Sequence, residues 1–207
     1  MKVAVIDYGM GNLGSVRRAL TELGSDSFVV TDPEQLGEAH RIVLPGVGSF
    51  ADGMAHLAKQ GWIAEIQQQV VEIGKPFLGI CLGMQLLATR GTEGGITPGL
   101  GLIDGEVVRI DTLGCMLRIP HVGWNAIKLN TPSGLFAGVP AGTDFYFVHS
   151  YAFQPADMSH ALAFTDYGIP IVAAIGVKNI FGTQFHPEKS SKAGFHVLRN
   201  FLSLAPC

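Results

Sequence analysis

Val3-Ala4-Val5-Ile6 runs through Asp7-Tyr8-Gly9-Met10-Gly11-Asn12 into Leu13 to Leu23, and the reading of this opening stretch decides the fold. Four apolar residues in a row fit a short strand buried on both faces better than a half-exposed one, which would alternate. In Leu13 to Leu23 the residues Val16, Leu20 and Leu23 follow helical spacing, with Asn12 placed to cap the helix and Gly24 to stop it. The unit then repeats. Phe28 to Val30 reads as a strand, a brief helix follows Asp32-Pro33, Arg41 to Leu44 is strand-like, Phe50 to Ile73 is helical with a break at Gly61, and Phe77 to Ile80 is strand-like again. Strands alternating with helices predict an α/β fold built on a mostly parallel central sheet flanked by helices. Beyond Gln85 to Ala88 and a Gly-rich connector from Gly91 to Gly101 the texture changes. Val107 to Ile110, Leu117 to Ile119, Ile127 to Leu129, Phe145 to Val148, Ala161 to Phe164, Ile171 to Ile175 and Ile180 to Phe185 read as strands of a mainly antiparallel β portion. An amphipathic helix from Lys192 to Leu204 closes the chain.

At 207 residues the chain is sized for one domain, residues 1–207, and no linker or low-complexity stretch divides it. Its 14 basic and 17 acidic residues leave a formal charge of −3 without blocks of like charge, which argues against a nucleic-acid or anionic-membrane binder. Hydrophobic residues make up 47%, enough for a core, yet no apolar run reaches the roughly 18 residues of a bilayer span. Met1 to Ile6 runs into Asp7 rather than into a cleavage region, so a soluble, cytoplasmic protein is expected. Cys81, Cys115 and Cys207 are too few and too scattered for a disulfide framework or a metal cluster, and at least one is expected to be a free thiol.

Gly79-Ile80-Cys81-Leu82-Gly83 follows an apolar strand and opens a helix, the context of a nucleophile elbow. Glycines on both sides relieve crowding, and a helix N-terminus favours the thiolate form of Cys81. A cysteine nucleophile needs a base. His186 stands at the end of a strand and is followed by Pro187 and Glu188, and residues two apart in an extended chain project to one side, so Glu188 can hold one ring nitrogen while the other faces the thiol. His40, His56, His160 and His196 lack such surroundings and read as structural or solvated. Acyl transfer also needs donors for an oxyanion. The amide of Leu82 is one, and the loop Pro45-Gly46-Val47-Gly48 at the end of a strand supplies another from Val47 or Gly48. A phosphate-loop reading of those glycines is weaker, because no Gly-Lys-Ser/Thr follows.

Taken together, Pro45-Gly46-Val47-Gly48-Ser49-Phe50, Gly79-Ile80-Cys81-Leu82-Gly83-Met84-Gln85 and Gln184-Phe185-His186-Pro187-Glu188 resemble the class I (triad) glutamine amidotransferases. Asp7-Tyr8-Gly9-Met10-Gly11-Asn12, Pro120-His121-Val122-Gly123-Trp124-Asn125, Tyr146-Phe147-Val148-His149-Ser150-Tyr151 and Lys189-Ser190 narrow the resemblance to the glutaminase subunits of imidazole glycerol phosphate synthase. The resemblance implies that Cys81 attacks the side-chain amide of L-glutamine, His186 shuttles the proton, Glu188 orients the imidazole, and no cofactor or metal takes part. It assigns Gln85 and Glu93 to the amino acid end of the substrate and the backbone of Ser150 and Tyr151 to its carboxylate. Two departures stand out: Gly91-Thr92-Glu93 keeps only the last acid of the usual Ser-Glu-Glu, and Val122 replaces the more usual Met. The family partner is a (β/α)8-barrel cyclase that receives the ammonia, and Asn12, Trp124, Tyr146 and Lys189 match family positions at that contact and at the ammonia exit. Each also has a local reading: a helix cap for Asn12, strand packing for Trp124 and Tyr146, a solvated charge for Lys189. The family further suggests that hydrolysis is weak until the cyclase binds its nucleotide, and the Gly46-Val47-Gly48 peptides could switch an amide into the oxyanion site. Rival readings are a triad glutaminase serving anthranilate, aminodeoxychorismate or guanylate synthesis, an inactive partner-docking module, and a lone cysteine hydrolase acting on peptides.

Overall fold

The computed structural model of the protein describes residues 1–205; Cys207 lies outside the described residues. The first half forms β1 (Lys2–Ile6), α1 (Leu13–Glu22), β2 (Asp26–Val30), β3 (Arg41–Gly46), α2 (Phe50–Lys59), α3 (Trp62–Ile66), β4 (Phe77–Cys81) and the single turn α4 (Leu82–Gln85). There follow β5 (Arg90–Gly91), β6 (Thr97–Pro98), β7 (Gly105–Arg109), β8 (His121–Leu129), β9 (Asp144–His149), β10 (Tyr151–Pro155), β11 (Ala161–Asp166), β12 (Pro170–Val177), β13 (Ile180–Thr183) and α5 (Ser191–Ser203). Nine strands make one sheet in the order β2-β1-β3-β4-β13-β12-β11-β8-β9, and β10-β7-β5-β6 make a second. From β2 to β13 the pairing is parallel, and from β13 to β9 it is antiparallel. Most of the expected antiparallel portion therefore extends the parallel sheet, while the run from Val107 falls in the second sheet as β7.

Why the first strands carry no polar alternation is plain from what covers them. Ala4 and Ile6 point to one face, where Phe50, Leu57 and Trp62 from α2 and α3 are buried. Val3 and Val5 point to the other, against Val16 and Leu20 of α1 and Val197, Leu198 and Phe201 of α5. Each such Val, Leu, Ile or Phe side chain contributes about 1.5–3 kcal/mol on leaving water. Asn12 caps α1 through Ser15, and Gly61, at φ +79°, breaks the helical region where the sequence places the break. One expectation fails, and one strand goes unanticipated. Leu117 to Ile119 is not a strand: Met116 is 94% exposed, the segment has no ladder partner among the described residues, and Pro120 denies it an amide for one. β10 is a strand the sequence does not announce, because its run ends in a proline and belongs to the smaller sheet, paired with β7.

Candidate active site

At the end of β4, Cys81 takes φ +55° and ψ −109°, a conformation costly to any side chain and one that tends to survive where function requires it. The turn is tight for a steric reason. A Cβ on Gly83 would fall 1.8 Å from the Leu44 carbonyl oxygen, and one on Gly79 would fall 2.4 Å from the Gly83 oxygen, so both flanking glycines are obligatory. One expectation needs correction: the helix that opens after Cys81 spans only Leu82–Gln85, so its dipole is small and the side chains around the sulfur carry more weight.

His186 is the first of these. β13 runs parallel to β4, with Thr183 opposite Ile80, and this brings the following segment to the elbow. The backbone is then pinned: the His186 amide donates to the Tyr146 carbonyl (3.0 Å), while the Ser190 hydroxyl donates to the His186 carbonyl (2.7 Å) and accepts from the Tyr146 amide (3.0 Å). Nδ1 of His186 lies 2.8 Å from Oε1 of Glu188, and the two side chains are 3% and 1% exposed. The pairing does not come from strand alternation, as the spacing suggests; Pro187–Lys189 is a 3₁₀ turn that curls Glu188 back beneath the ring. Burial pushes the His186 pKa down, but the Glu188 carboxylate bonded to Nδ1 and the nearby Cys81 sulfur outweigh it and raise the value to about 9. Its Nε2 has no hydrogen-bond partner among the described residues, and that nitrogen is the one available to a thiol proton.

Cys81 and His186 line one cavity of about 360 Å³. The anticipated oxyanion residues Val47, Gly48 and Leu82 lie in its wall, as do the anticipated substrate residues Gln85, Glu93, Ser150 and Tyr151. The Val47 amide donates to the Met10 carbonyl (3.4 Å), which turns it away from service as an oxyanion donor in this conformation. Gly48 sits at φ +109°, and a Cβ there would also meet the Met10 side chain at 2.6 Å. Glu93 accepts from the Phe50 amide (2.8 Å), so the only carboxylate among the described residues of the wall also secures the start of α2. Among the described residues, no cluster of His, Cys, Asp and Glu could hold a metal.

Sequence reasoning misses four buried polar groups in and behind the site. Nε2 of Gln184 points at Sγ of Cys81 (3.7 Å), and Oε1 of Gln184 accepts from Gln85 (3.0 Å). His149 lines the cavity and pairs with His121. The Tyr8 hydroxyl is buried without a partner among the described residues, and desolvation, then the Cys81 charge, push its pKa up. Gln184, His121 and His149 stand in quoted motifs, where alternation along a strand end is the available signal. The four anticipated interface residues stay outside the cavity wall. Trp124 and Tyr146 face each other across β8 and β9, ring centroids 6.1 Å apart, with Trp124 55% exposed. Lys189 is exposed, and Asn12 caps α1.

A strained cysteine, a buried His-Glu pair and an adjoining cavity thus lie together at the C-terminal ends of parallel strands, an arrangement that a cysteine-nucleophile acyl transfer would require. The family model for glutamine amidotransferase class I matches residues 4–204, and the chain belongs to that family. Proteins named imidazole glycerol phosphate synthase subunit HisH are similar along nearly their whole length. The one from Moorella thermoacetica is 49% identical over 96% of this chain and 93% of its own, and that from Rhodospirillum rubrum is 48% identical over the full length of both. The one from Caulobacter vibrioides is 46% identical over 99% of each. Among solved structures, PurLQS from Thermotoga maritima superposes with a TM-score of 0.76 at 21% identity, covering 97% of both chains. A glutamine amidotransferase from the same organism gives 0.70 at 16% identity, covering 98% of this chain and 96% of its own. At that identity the two structures speak for the fold alone.

Proposed function

We propose that this chain is the glutaminase subunit of an imidazole glycerol phosphate synthase, with Cys81, His186 and Glu188 as its catalytic triad and residues 1–207 as one amidotransferase domain. The observation that carries the reading is the joint presence of Cys81 and His186 in the wall of one cavity, with Glu188 behind the imidazole. Sγ of Cys81 attacks the side-chain carbonyl carbon of L-glutamine, and charge collects on the carbonyl oxygen. The Leu82 amide serves that oxygen, joined by an amide of the Val47-Gly48 loop once it turns from Met10. Protonated His186 donates to the departing nitrogen, ammonia leaves, and a glutamyl thioester remains. Neutral His186 then takes a proton from water, the hydroxyl adds to the thioester carbon, and the carbon–sulfur bond breaks to give glutamate and the thiolate. Glu188, accepting from Nδ1, fixes which nitrogen is free and favours the imidazolium that donates in the first step and forms in the second.

Gln85 and Glu93 would receive the substrate's amino acid end, Glu93 as counter-ion to the ammonium group, and the backbone at Ser150 and Tyr151 its carboxylate. Among the described residues, the amidotransferase match over residues 4–204 leaves no segment to accept the ammonia. It passes to a cyclase partner, a (β/α)8 barrel in the family's pattern, which makes imidazole glycerol phosphate and aminoimidazole carboxamide ribotide in histidine biosynthesis. Trp124, Tyr146, Asn12 and Lys189 would meet that partner, and the cytoplasm is the compartment that suits the complex. No helix among the described residues is long and apolar enough to cross a membrane. The test is glutamate release with and without the cyclase and its nucleotide, in wild type and in Cys81→Ala. Stimulation present in the first and lost in the second is expected. Activity indifferent to the cyclase but raised by another synthetase would move the assignment to a rival triad glutaminase.

A further inference from the structure

His121 and His149 are buried, belong to neither triad nor substrate contacts as assigned above, and face each other in register across β8 and β9. Nδ1 of His121 lies 3.0 Å from Nε2 of His149, and Nδ1 of His149 lies 2.8 Å from the Tyr151 carbonyl oxygen. A carbonyl only accepts, so Nδ1 of His149 carries hydrogen. Burial lowers both pKa values, to about 4 for His121 and about 3 for His149, so both rings are neutral, and Nε2 of His149 is left as an acceptor. Nδ1 of His121 must then donate, and its Nε2 accepts from the Asn125 amide group (3.3 Å), which also donates to the Asp166 carbonyl (2.7 Å). The partners thus fix one tautomer for each ring.

The chain of bonds continues into the site. The Tyr151 carbonyl that receives His149 also receives Nε2 of Gln85 (3.1 Å). Gln85 donates as well to Oε1 of Gln184, which sets that amide so that its Nε2 points at Sγ of Cys81. We propose that His121 and His149 are positioning residues for glutamine hydrolysis: a buried imidazole relay that holds the Tyr151 carbonyl, and through Gln85 and Gln184 the Cys81 sulfur, in one geometry. Neither ring is a base for the sulfur, because each of their nitrogens is already committed to a partner. The relay starts beside Trp124 on the strand that carries the exposed apolar face and ends at the nucleophile, so it also joins the two regions mechanically. This inference rests on the glutaminase reading above.

The alternative is that His121 is only packing, stacked between Phe147 and Tyr167 with centroids at 4.9 and 4.1 Å. Two substitutions separate these roles. His121→Phe keeps the stack and loses the donor; His121→Asn loses the stack and keeps a donor near the Nδ1 position. Glutamine hydrolysis is measured in the complex with the cyclase and its nucleotide, with KM and kcat resolved and thermal unfolding followed alongside. The relay requires KM for glutamine to rise at least about tenfold in His121→Phe and to stay within about threefold in His121→Asn, whichever protein is the less stable. Equal losses in both, or a wild-type KM in His121→Phe, overturn it. Should His121→Phe not fold, His149→Asn against His149→Leu makes the same comparison at the Tyr151 end. Long-range ¹⁵N spectra supply an independent reading: both rings are expected as Nδ1–H tautomers, and an Nε2–H signal from His149 overturns the relay. An inactive wild type in which Cys81→Ala changes nothing would sink the glutaminase reading and the relay with it, whereas an active, Cys81-dependent wild type with indistinguishable His121 variants would sink the relay alone.

Discussion

The two halves of the nine-stranded sheet use their faces differently. In the parallel half, β1, β3 and β4 are buried on both sides almost throughout, and the reactive groups sit where the strands end: Cys81 after β4, Pro45 to Gly48 at the end of β3, and His186 after β13. In the antiparallel half, β8 and β9 alternate. His121, Phe145, Phe147 and His149 turn inward, while Val122, Trp124 and Val148 stand 55%, 55% and 36% exposed. A doubly buried strand holds its terminus rigidly and suits chemistry that tolerates little displacement. A half-covered sheet keeps one apolar face unsatisfied in the isolated chain and suits docking.

That division can be broken most severely at the sulfur. Cys81→Ala is expected to lower glutamine turnover by about four orders of magnitude or more while leaving the thermal midpoint and cyclase binding close to wild type. A mutant that kept a tenth of the activity would move the chemistry elsewhere. Glu188→Gln comes next, with a loss of about a hundredfold or more in kcat and little change in KM, because the ring loses the charge that keeps it protonated and the amide can turn its NH2 to Nδ1 and favour the wrong tautomer. On the docking half, Trp124→Ala should weaken association with the cyclase about thirtyfold and leave basal hydrolysis untouched; an equal fall in basal hydrolysis would erase the distinction between the halves. Gly48→Val should cost about 1–3 kcal/mol of stability, through positive φ and the Met10 contact, and should blunt nucleotide-stimulated hydrolysis several-fold. Unchanged stimulation would exclude a turning loop.

The smallest effect is on stability against pH. His186 has a folded pKa raised to about 9 above an unfolded value near 6.5, so its contribution is complete below about 6.5 and is lost as pH rises through 9. His121 and His149 are depressed to about 4 and about 3, so their contribution is complete above about 6.5 and is lost as pH falls through those values. The thermal midpoint should peak near pH 6.5. Replacing His186 should flatten the alkaline limb alone.

The triad is legible in the sequence because its chemistry is local. The glycines around Cys81 are dictated by contacts with Leu44 and with each other, and Glu188 is two residues from the histidine it orients. The parallel half is equally legible, since residues buried on both faces leave uninterrupted apolar runs. What escapes depends on register between distant segments. His121 and His149 are 28 positions apart and become a pair only through the β8–β9 ladder, and Gln184 reaches Cys81 across 103 positions. Leu117 to Ile119 has the composition of a strand, but a strand needs a neighbour, and none flanks it in the described residues. The motif overstates the dipole at Cys81 for a similar reason: where a helix opens can be read from local residues, whereas how long it runs depends on packing.

The identity of the nucleophile is tested most directly by treating the protein with an electrophilic glutamine analogue and locating the adduct by peptide mass, with and without excess L-glutamine. The expected result is a single label on Cys81, suppressed by glutamine and absent in His186→Ala at short times. A label on Cys115 or Cys207 instead, or a Cys81 label that glutamine does not protect, would contradict it.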